Sequence, residues 1–200
     1  MKKLGVLLSG RGSNFEAIAR NVQAGKIRAE IAIVISNKEG AGGLDIARQF
    51  GIKAVCIPSK GKEREAFEQE LVAALREAQV DLVVLAGFMR VLTPFFIRAF
   101  QGRILNIHPA LLPSFPGVDA QKQALEYGAK FTGCTVHFVD EGVDTGAVVC
   151  QAVVPILDED TAETLAARIL KEEHRIYTEA VNLVVEDKIR IEGRRVLRKE

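Results

Sequence analysis

Ile104-Leu105-Asn106-Ile107-His108-Pro109-Ala110-Leu111-Leu112-Pro113-Ser114-Phe115-Pro116-Gly117 passes from a short apolar run into a proline-rich loop. Side chains alternate along a strand, so Asn106 and His108 project from the same face. Pro109 disfavours helix at His108 and has no N–H to continue the pairing, so the strand stops there. The histidine therefore stands near a strand's carboxyl end, the edge that receives ligands in an open α/β sheet. An amide beside an imidazole at that edge can donate hydrogen bonds to a developing oxyanion and move a proton. That pairing suits acyl transfer.

The neighbouring segments repeat the pattern. Leu4 to Leu8, Ile31 to Ile35, Ala54 to Ile57, Leu82 to Ala86 and Ile104 to Ile107 read as buried strands. Such near-continuous Val/Ile/Leu content is what a parallel sheet covered on both faces requires. Helical patterns lie between them: from Lys62 to Ala78, residues Phe67, Leu71, Ala74, Leu75 and Ala78 recur at helical spacing. Repeated βα units predict an α/β fold with a doubly wound, mostly parallel, Rossmann-like sheet. The second half differs. Thr132 to Val139 and Val148 to Ile156 read as longer strands, and their short connection predicts an antiparallel addition. Asp160, with Glu163 three residues on, reads as the N-cap of a long C-terminal helix reaching about Glu186.

Composition bounds the rest. At 200 residues the chain suits a single domain with a sizeable core. Lys and Arg number 27 against 26 Asp and Glu, for a net charge of +1, so no overall field recruits nucleic acid or a membrane surface. The basic cluster Arg194, Arg195, Arg198 and Lys199 reads as a solvated tail. Cys56, Cys134 and Cys150 lack CxxC spacing and read as free thiols of a reducing compartment. The first apolar stretch stops at Ser9, too short for a secretory h-region, and no run is long enough for a membrane span. A cytoplasmic protein is expected.

Ser9-Gly10-Arg11-Gly12-Ser13-Asn14 lies between the first strand and the first helix. Its glycines let backbone approach an anion, and the following helix aims N–H groups at it. Phe15 occupies the third glycine position of GxGxxG, and Ser36-Asn37-Lys38 replaces the acidic residue expected after the second strand. A single phosphate of a small substrate fits better than a dinucleotide. After the fourth strand, Gly87 with Phe88, Met89, Arg90, Val91 and Leu92 offers exposed backbone and an apolar wall to a flat heterocycle. Asp144, between Gly142 and Gly146, is the carboxylate best suited to orient an imidazole, although spacing alone does not put it beside His108. Glu173 falls on the apolar stripe of the last helix and could face a wet pocket and receive an amine. His137, inside an apolar strand, reads as a core or supporting histidine, and His174 as a partly exposed helical one. Three distant histidines without clustered Cys or Asp give no metal site, and no G-x-S-x-G elbow supports a serine hydrolase.

Taken together, Leu8 to Asn14, Leu85 to Arg90, Asn106 to Pro109 with Leu111-Leu112-Pro113, Asp140 to Gly146, and Glu173-His174 closely resemble the phosphoribosylglycinamide formyltransferase family. The match runs in order from about residue 4 to 186. The resemblance implies one formyltransferase domain over residues 1–200, with about 1–100 binding ribonucleotide phosphate and about 101–186 serving catalysis and folate. It implies 10-formyltetrahydrofolate as formyl donor, glycinamide ribonucleotide as acceptor, and no metal. By the matching motifs, Gly12, Ser13 and Asn14 would hold the phosphate and Glu173 the glycinamide amine. Arg64, Met89, Arg90, Val91, Leu92, Asn106, Asp140, Glu141, Gly142, Val143 and Asp144 would frame the folate. Asn106, His108 and Asp144 match the catalytic trio.

One departure is visible. Some members carry histidines shortly after the proline-glycine segment, where Asp119-Ala120-Gln121-Lys122 stands here. The rivals are a formyltetrahydrofolate hydrolase or a methionyl-tRNA formyltransferase. Each family carries an extra domain, for which 200 residues leave no room, and the near-neutral charge disfavours tRNA. A non-catalytic nucleotide-binding module would need only the glycine loop. A homodimer is compatible with the resemblance, and the sequence leaves oligomeric state open.

Overall fold

The computed structural model describes residues 1–199. Its chain forms two compact units, Met1–Leu105 and Asn106–Glu200, and passes from one to the other within a strand. The first unit alternates strands and helices: β1 (Lys2–Leu8), α1 (Ser13–Gln23), β2 (Ala29–Ser36), α2 (Gly42–Gln49), β3 (Ala54–Cys56), α3 (Arg64–Glu77), β4 (Leu82–Leu85) and α4 (Pro94–Ala99). Its strands lie in the order β3-β2-β1-β4, and the β1–β2, β1–β4 and β2–β3 pairs are all parallel. The expected strands are present within a few residues of their predicted ends. Leu4, Val6, Leu7 and Leu8 on β1 and Ile33, Val34 and Ile35 on β2 are wholly buried, each adding about 1.5–3 kcal/mol of transfer free energy. Successive strands step outward from β1 to β3, and the chain then returns to place β4 on the other side of β1. That reversal makes the carboxyl ends of β1 and β4 the topological switch point.

A buried carboxylate that periodicity did not single out ties α3 to α4. Glu68 is 2% exposed and accepts from the Thr93 backbone N–H at 2.8 Å and from the Thr93 hydroxyl. Thr93 is the N-cap of α4, so the carboxylate satisfies donors that a helix start leaves open.

The second unit continues from the end of β5 (Ile104–His108) through α5 (Ala120–Tyr127), β6 (Phe131–Phe138), β7 (Val148–Pro155), α6 (Ala162–Val185), β8 (Ile189–Glu192) and β9 (Arg195–Arg198). Strand β6 pairs antiparallel with β7, the predicted antiparallel addition, and α6 packs across both strands. Two readings are corrected. The N-cap of α6 is Thr161, whose hydroxyl accepts from the Thr164 N–H while Thr164 returns a bond to the Thr161 N–H. Asp160 instead takes the Arg168 guanidinium at 2.6 and 2.8 Å, which with the Leu157 N–H holds its carboxyl far below the usual range.

The basic end is no solvated tail. Ile189-Arg190-Ile191-Glu192 pairs antiparallel with Arg195-Val196-Leu197-Arg198 across the two-residue turn Gly193-Arg194. Gly193 has φ 61°, the sign that such hairpin turns require at their first position. Alternating Ile and charged residues around Gly-Arg carried this signal, and charge density masked it.

Candidate active site

In the first unit, the segments after β1 and β4 are joined at the switch point. Ser9 N–H donates to the Gly87 carbonyl at 3.0 Å, and the Ser9 hydroxyl accepts from the Met89 N–H at 2.8 Å while donating to Asn37 Oδ1 at 2.5 Å. Asn37 Nδ2 continues to the Ser59 hydroxyl at 3.1 Å. All three side chains are buried, so strand ends β1, β2, β3 and β4 share one polar chain. Gly12 caps α1 with φ 81° and ψ 25°, a conformation that costs other residues energy. A Cβ there would lie 2.7 Å from the Cα of Gly43, so only glycine permits the approach of α2 to this turn. The first turn of α1 keeps its N–H groups toward the switch point, and its one acid, Glu16, is occupied by Arg20 at 2.6 and 3.1 Å. Ser13 is half-buried and Asn14 buried. Beyond Gly87, Met89 and Val91 are 67% and 61% exposed whereas Phe88 and Leu92 are buried. This loop therefore presents two apolar side chains on a seated base. Arg90 is half-buried, and Arg64 opens α3 exposed to solvent.

In the second unit, titratable groups converge on Asp144. Its Oδ2 lies 3.4 Å from His108 Nδ1 and its Oδ1 lies 3.7 Å from His137 Nε2. His108 and His137 are 4% and 2% exposed. Asp144 adopts φ 54°, a left-handed conformation that Asp and Asn tolerate. The Gly117 N–H donates to its Oδ2 at 2.8 Å. His108 Nε2 lies 2.8 Å from the Phe115 carbonyl and donates to it. Both its nitrogens face oxygen atoms, the Phe115 carbonyl on one side and the Asp144 carboxylate on the other. His137 differs. Its Nδ1 donates to the Phe138 carbonyl at 2.9 Å, and its Nε2 stands 3.3 Å from Asn106 Nδ2, an amide donor that requires an unprotonated acceptor. Burial, the largest influence, pushes the His137 ring below its ordinary pKa against the pull of the Phe138 carbonyl and Asp144. One carboxylate thus meets two imidazoles, closer to His108 than to His137.

The register of β6–β7 shifts between Val136 and His137, and such irregularities re-aim side chains near strand ends. Thr135, on the same face as His137, donates from Oγ1 to the Ala110 carbonyl at 2.7 Å and accepts from the Leu112 N–H at 3.0 Å and Gln151 Nε2 at 2.9 Å. It fixes the loop containing the cis Leu112–Pro113 peptide. Asp140 Oδ1 accepts from the Thr145 hydroxyl at 2.6 Å and the Gly142 N–H at 3.1 Å, shaping a loop whose Asp140, Glu141, Gly142 and Val143 remain exposed. At Gly146 a Cβ would fall 1.7 Å from the Phe138 carbonyl oxygen, so the end of this loop is packed directly on β6. Glu173, on α6, is 8% exposed.

The structure therefore brings Asn106, His108 and Asp144 into one cluster and adds His137 as the partner of Asn106. Strand alternation carried the Asn106–His108 pairing. The contribution of His137 is hidden, because a largely apolar strand gives no sign of what its polar residues face. Thr135 is hidden in the same way, while Ser9 and Asn37 are legible as strand-end residues but their bonds to each other and to Ser59 are long-range. Among the described residues no group of His, Cys, Asp and Glu is arranged to hold a metal ion.

A parallel sheet with its switch point after β1 is joined in sequence to a strand-end Asn-His pair and a loop aspartate, a set of groups able to stabilise an oxyanion and move a proton. The chain belongs to the formyl transferase family, whose model matches residues 2–181. It is similar to the crystal structure of glycinamide ribonucleotide transformylase 1 from Symbiobacterium toebii, with TM-score 0.98 and 49% identity over 100% of this chain and 95% of that one. It is 42% identical to the chloroplastic phosphoribosylglycinamide formyltransferase of Vigna unguiculata, over 94% of this chain and 62% of that protein. The trifunctional purine biosynthetic protein adenosine-3 of Drosophila melanogaster is 51% identical over 92% of this chain. The chain spans only 14% of the length of that protein.

Proposed function

We propose that this chain transfers the formyl group of 10-formyltetrahydrofolate to the amine of glycinamide ribonucleotide. The observation that carries the reading is Asp144 held between His108 and His137, with Asn106 bonded to the second histidine, in a chain 49% identical to a glycinamide ribonucleotide transformylase. The bound folate supplies an activated formyl carbon, to which the amine forms its new C–N bond as the bond to the folate nitrogen breaks.

This chain's residues do the rest. Asn106 Nδ2 carries two hydrogens; one faces His137, and the other is available to the formyl oxygen as negative charge develops there. In its protonated state His108 adds a positive field, and Asp144 beside its Nδ1 keeps the ring oriented. Losing one preorganised donor of this kind costs about 3 kcal/mol of barrier. Asp144 also provides the route by which the proton shed by the amine returns to the leaving nitrogen. In the first unit, Gly12, Ser13 and Asn14 supply backbone and side-chain donors to the ribonucleotide phosphate. The exposed apolar pair Met89 and Val91, with Arg90 and Leu92, fits the planar ring of the folate. Arg64, Asp140, Glu141, Gly142 and Val143 complete its frame, and Glu173 orients the amine. Residues 1–200 accordingly act as one formyltransferase. The free cysteines Cys56, Cys134 and Cys150 favour a cytoplasmic setting, and among the described residues no helix is long and apolar enough to cross a membrane.

The test follows folate absorbance with purified protein, with and without glycinamide ribonucleotide. Transfer that requires the ribonucleotide is the expected result. Folate release without an acceptor would overturn the reading in favour of a hydrolase, and silence in both would leave a binding module.

A further inference from the structure

The β8–β9 hairpin lies beyond residues 2–181 that match the family, and none of the roles above uses it. Its turn nevertheless reaches the loop that carries Asp144. Arg194 Nη2 donates to the Thr145 carbonyl at 2.9 Å, one residue from the carboxylate between the two histidines. The hairpin is itself anchored through β9, which follows that contact. Arg195 pairs with Val148 at the start of β7, and Arg198 Nη2 meets Glu179 on α6 at 2.9 Å.

The loop has other ties: its Gly146 end packs on β6, and hydrogen bonds hold it from within and from the segment before α5. Asp140 bonds Gly142 and Thr145 within the loop, and the Gly117 N–H that meets Asp144 belongs to the proline-rich segment. Arg194 is therefore the tie that joins the Asp144 loop to a hairpin fastened to β7 and α6. A guanidinium donating to a carbonyl is a charge-assisted bond, stronger and shorter than its neutral counterpart. It acts where Asp140, Glu141, Gly142 and Val143 are exposed and contribute little packing of their own.

We propose that Arg194 is a positioning residue for formyl transfer: by holding the Thr145 carbonyl, the C-terminal hairpin sets the place of Asp144 beside His108. Its kinetic consequence rests on the formyl-transfer reading, whereas its effect on the loop does not.

The test uses the full chain, Arg194→Ala, Arg194→Lys, and Arg190→Ala as a hairpin control whose side chain pairs with Glu192. Amide hydrogen exchange over residues 140–147 should accelerate about tenfold in Arg194→Ala, since local opening follows the loss of restraining bonds. It should stay at the parent rate in Arg190→Ala. The kcat for formyl transfer should fall about tenfold, as expected for a slightly misplaced catalytic group, with the KM for the ribonucleotide unchanged. Arg194→Lys, which keeps a cationic donor, should recover most of both effects. Unchanged exchange in Arg194→Ala overturns the inference, and so does faster exchange with kcat within twofold of the parent. If the parent transfers no formyl group, the proposed function fails instead, and exchange alone decides whether Arg194 restrains the loop.

Discussion

The two units prepare their strand ends by opposite means. In the first, the glycine turn is shaped by what cannot be there: a side chain at Gly12 would meet Gly43, and the backbone at φ 81° refuses one on conformational grounds as well. In the second, the cluster is shaped by what must be there, an amide, two imidazoles and a carboxylate brought within reach of one another. A cradle made of backbone can be rigid, strongly polar and free of titration, as suits recognition of a phosphate. Chemistry that moves a proton requires groups that titrate, and these are held by mutual hydrogen bonds. Substitutions in the first unit should therefore change binding and stability, and those in the second should change turnover.

The largest effect is expected at His108. His108→Ala should lower kcat about 1000-fold, within the range that positioned acid–base and electrostatic groups supply, while circular dichroism and the ribonucleotide KM remain near the parent's. Near-normal turnover would remove His108 from the mechanism. Asp144→Asn should follow, with about a 100-fold loss of kcat. Asparagine keeps the left-handed backbone and can accept from the Gly117 N–H, so the change isolates the charge. If Asp144→Asn instead raises the folate KM alone, the carboxylate is a binding group and the contrast between the units weakens.

Gly12→Ala tests the other side. Left-handed backbone costs alanine roughly 1–2 kcal/mol, and the 2.7 Å approach to Gly43 adds to it. A thermal midpoint lowered by several degrees and a raised ribonucleotide KM are expected, with kcat little changed. A selective collapse of kcat would erase the distinction.

The smallest effect concerns pH. Burial lowers the His137 pKa below its ordinary value of 6.5, so the unfolded chain takes up this proton first as pH falls. The sign follows from linkage: the stability is present above pH 6.5 and is lost as pH falls toward the folded-state value. His137→Gln should therefore cost more stability at pH 7.5 than at pH 5.5 in thermal unfolding. An equal cost at both would mean that the ring does not titrate differently on folding.

Much of this is legible in the sequence. Parallel strands read from Val/Ile/Leu runs because both faces are covered, and Pro109 marked where β5 ends. The Asn106–His108 pairing followed from alternation alone. What could not be read was long-range. Asp144 reaches His108 only because a glycine-bounded loop folds back, and His137 meets Asn106 from a strand 31 residues further along the chain. Neither event leaves a local trace. The C-terminal hairpin did leave one in Gly193-Arg194, but four cations within six residues looked like a solvated end. The capping error at Asp160 has a similar origin. Asp and Thr are both good caps, and the bidentate Arg168 contact that drew Asp160 away lies eight residues further on.

The chain of side chains from Ser9 through Asn37 to Ser59 has a consequence for how this protein can vary. Surface connections ordinarily lengthen or shorten independently, since little depends on where their ends lie. Here the connections after β1, β2, β3 and β4 are pinned to one another at their roots, because one hydroxyl serves both Asn37 and the Met89 amide. An insertion at the root of any one connection would shift the registration of the other three. Tips can drift in length and composition, whereas roots are constrained to change together.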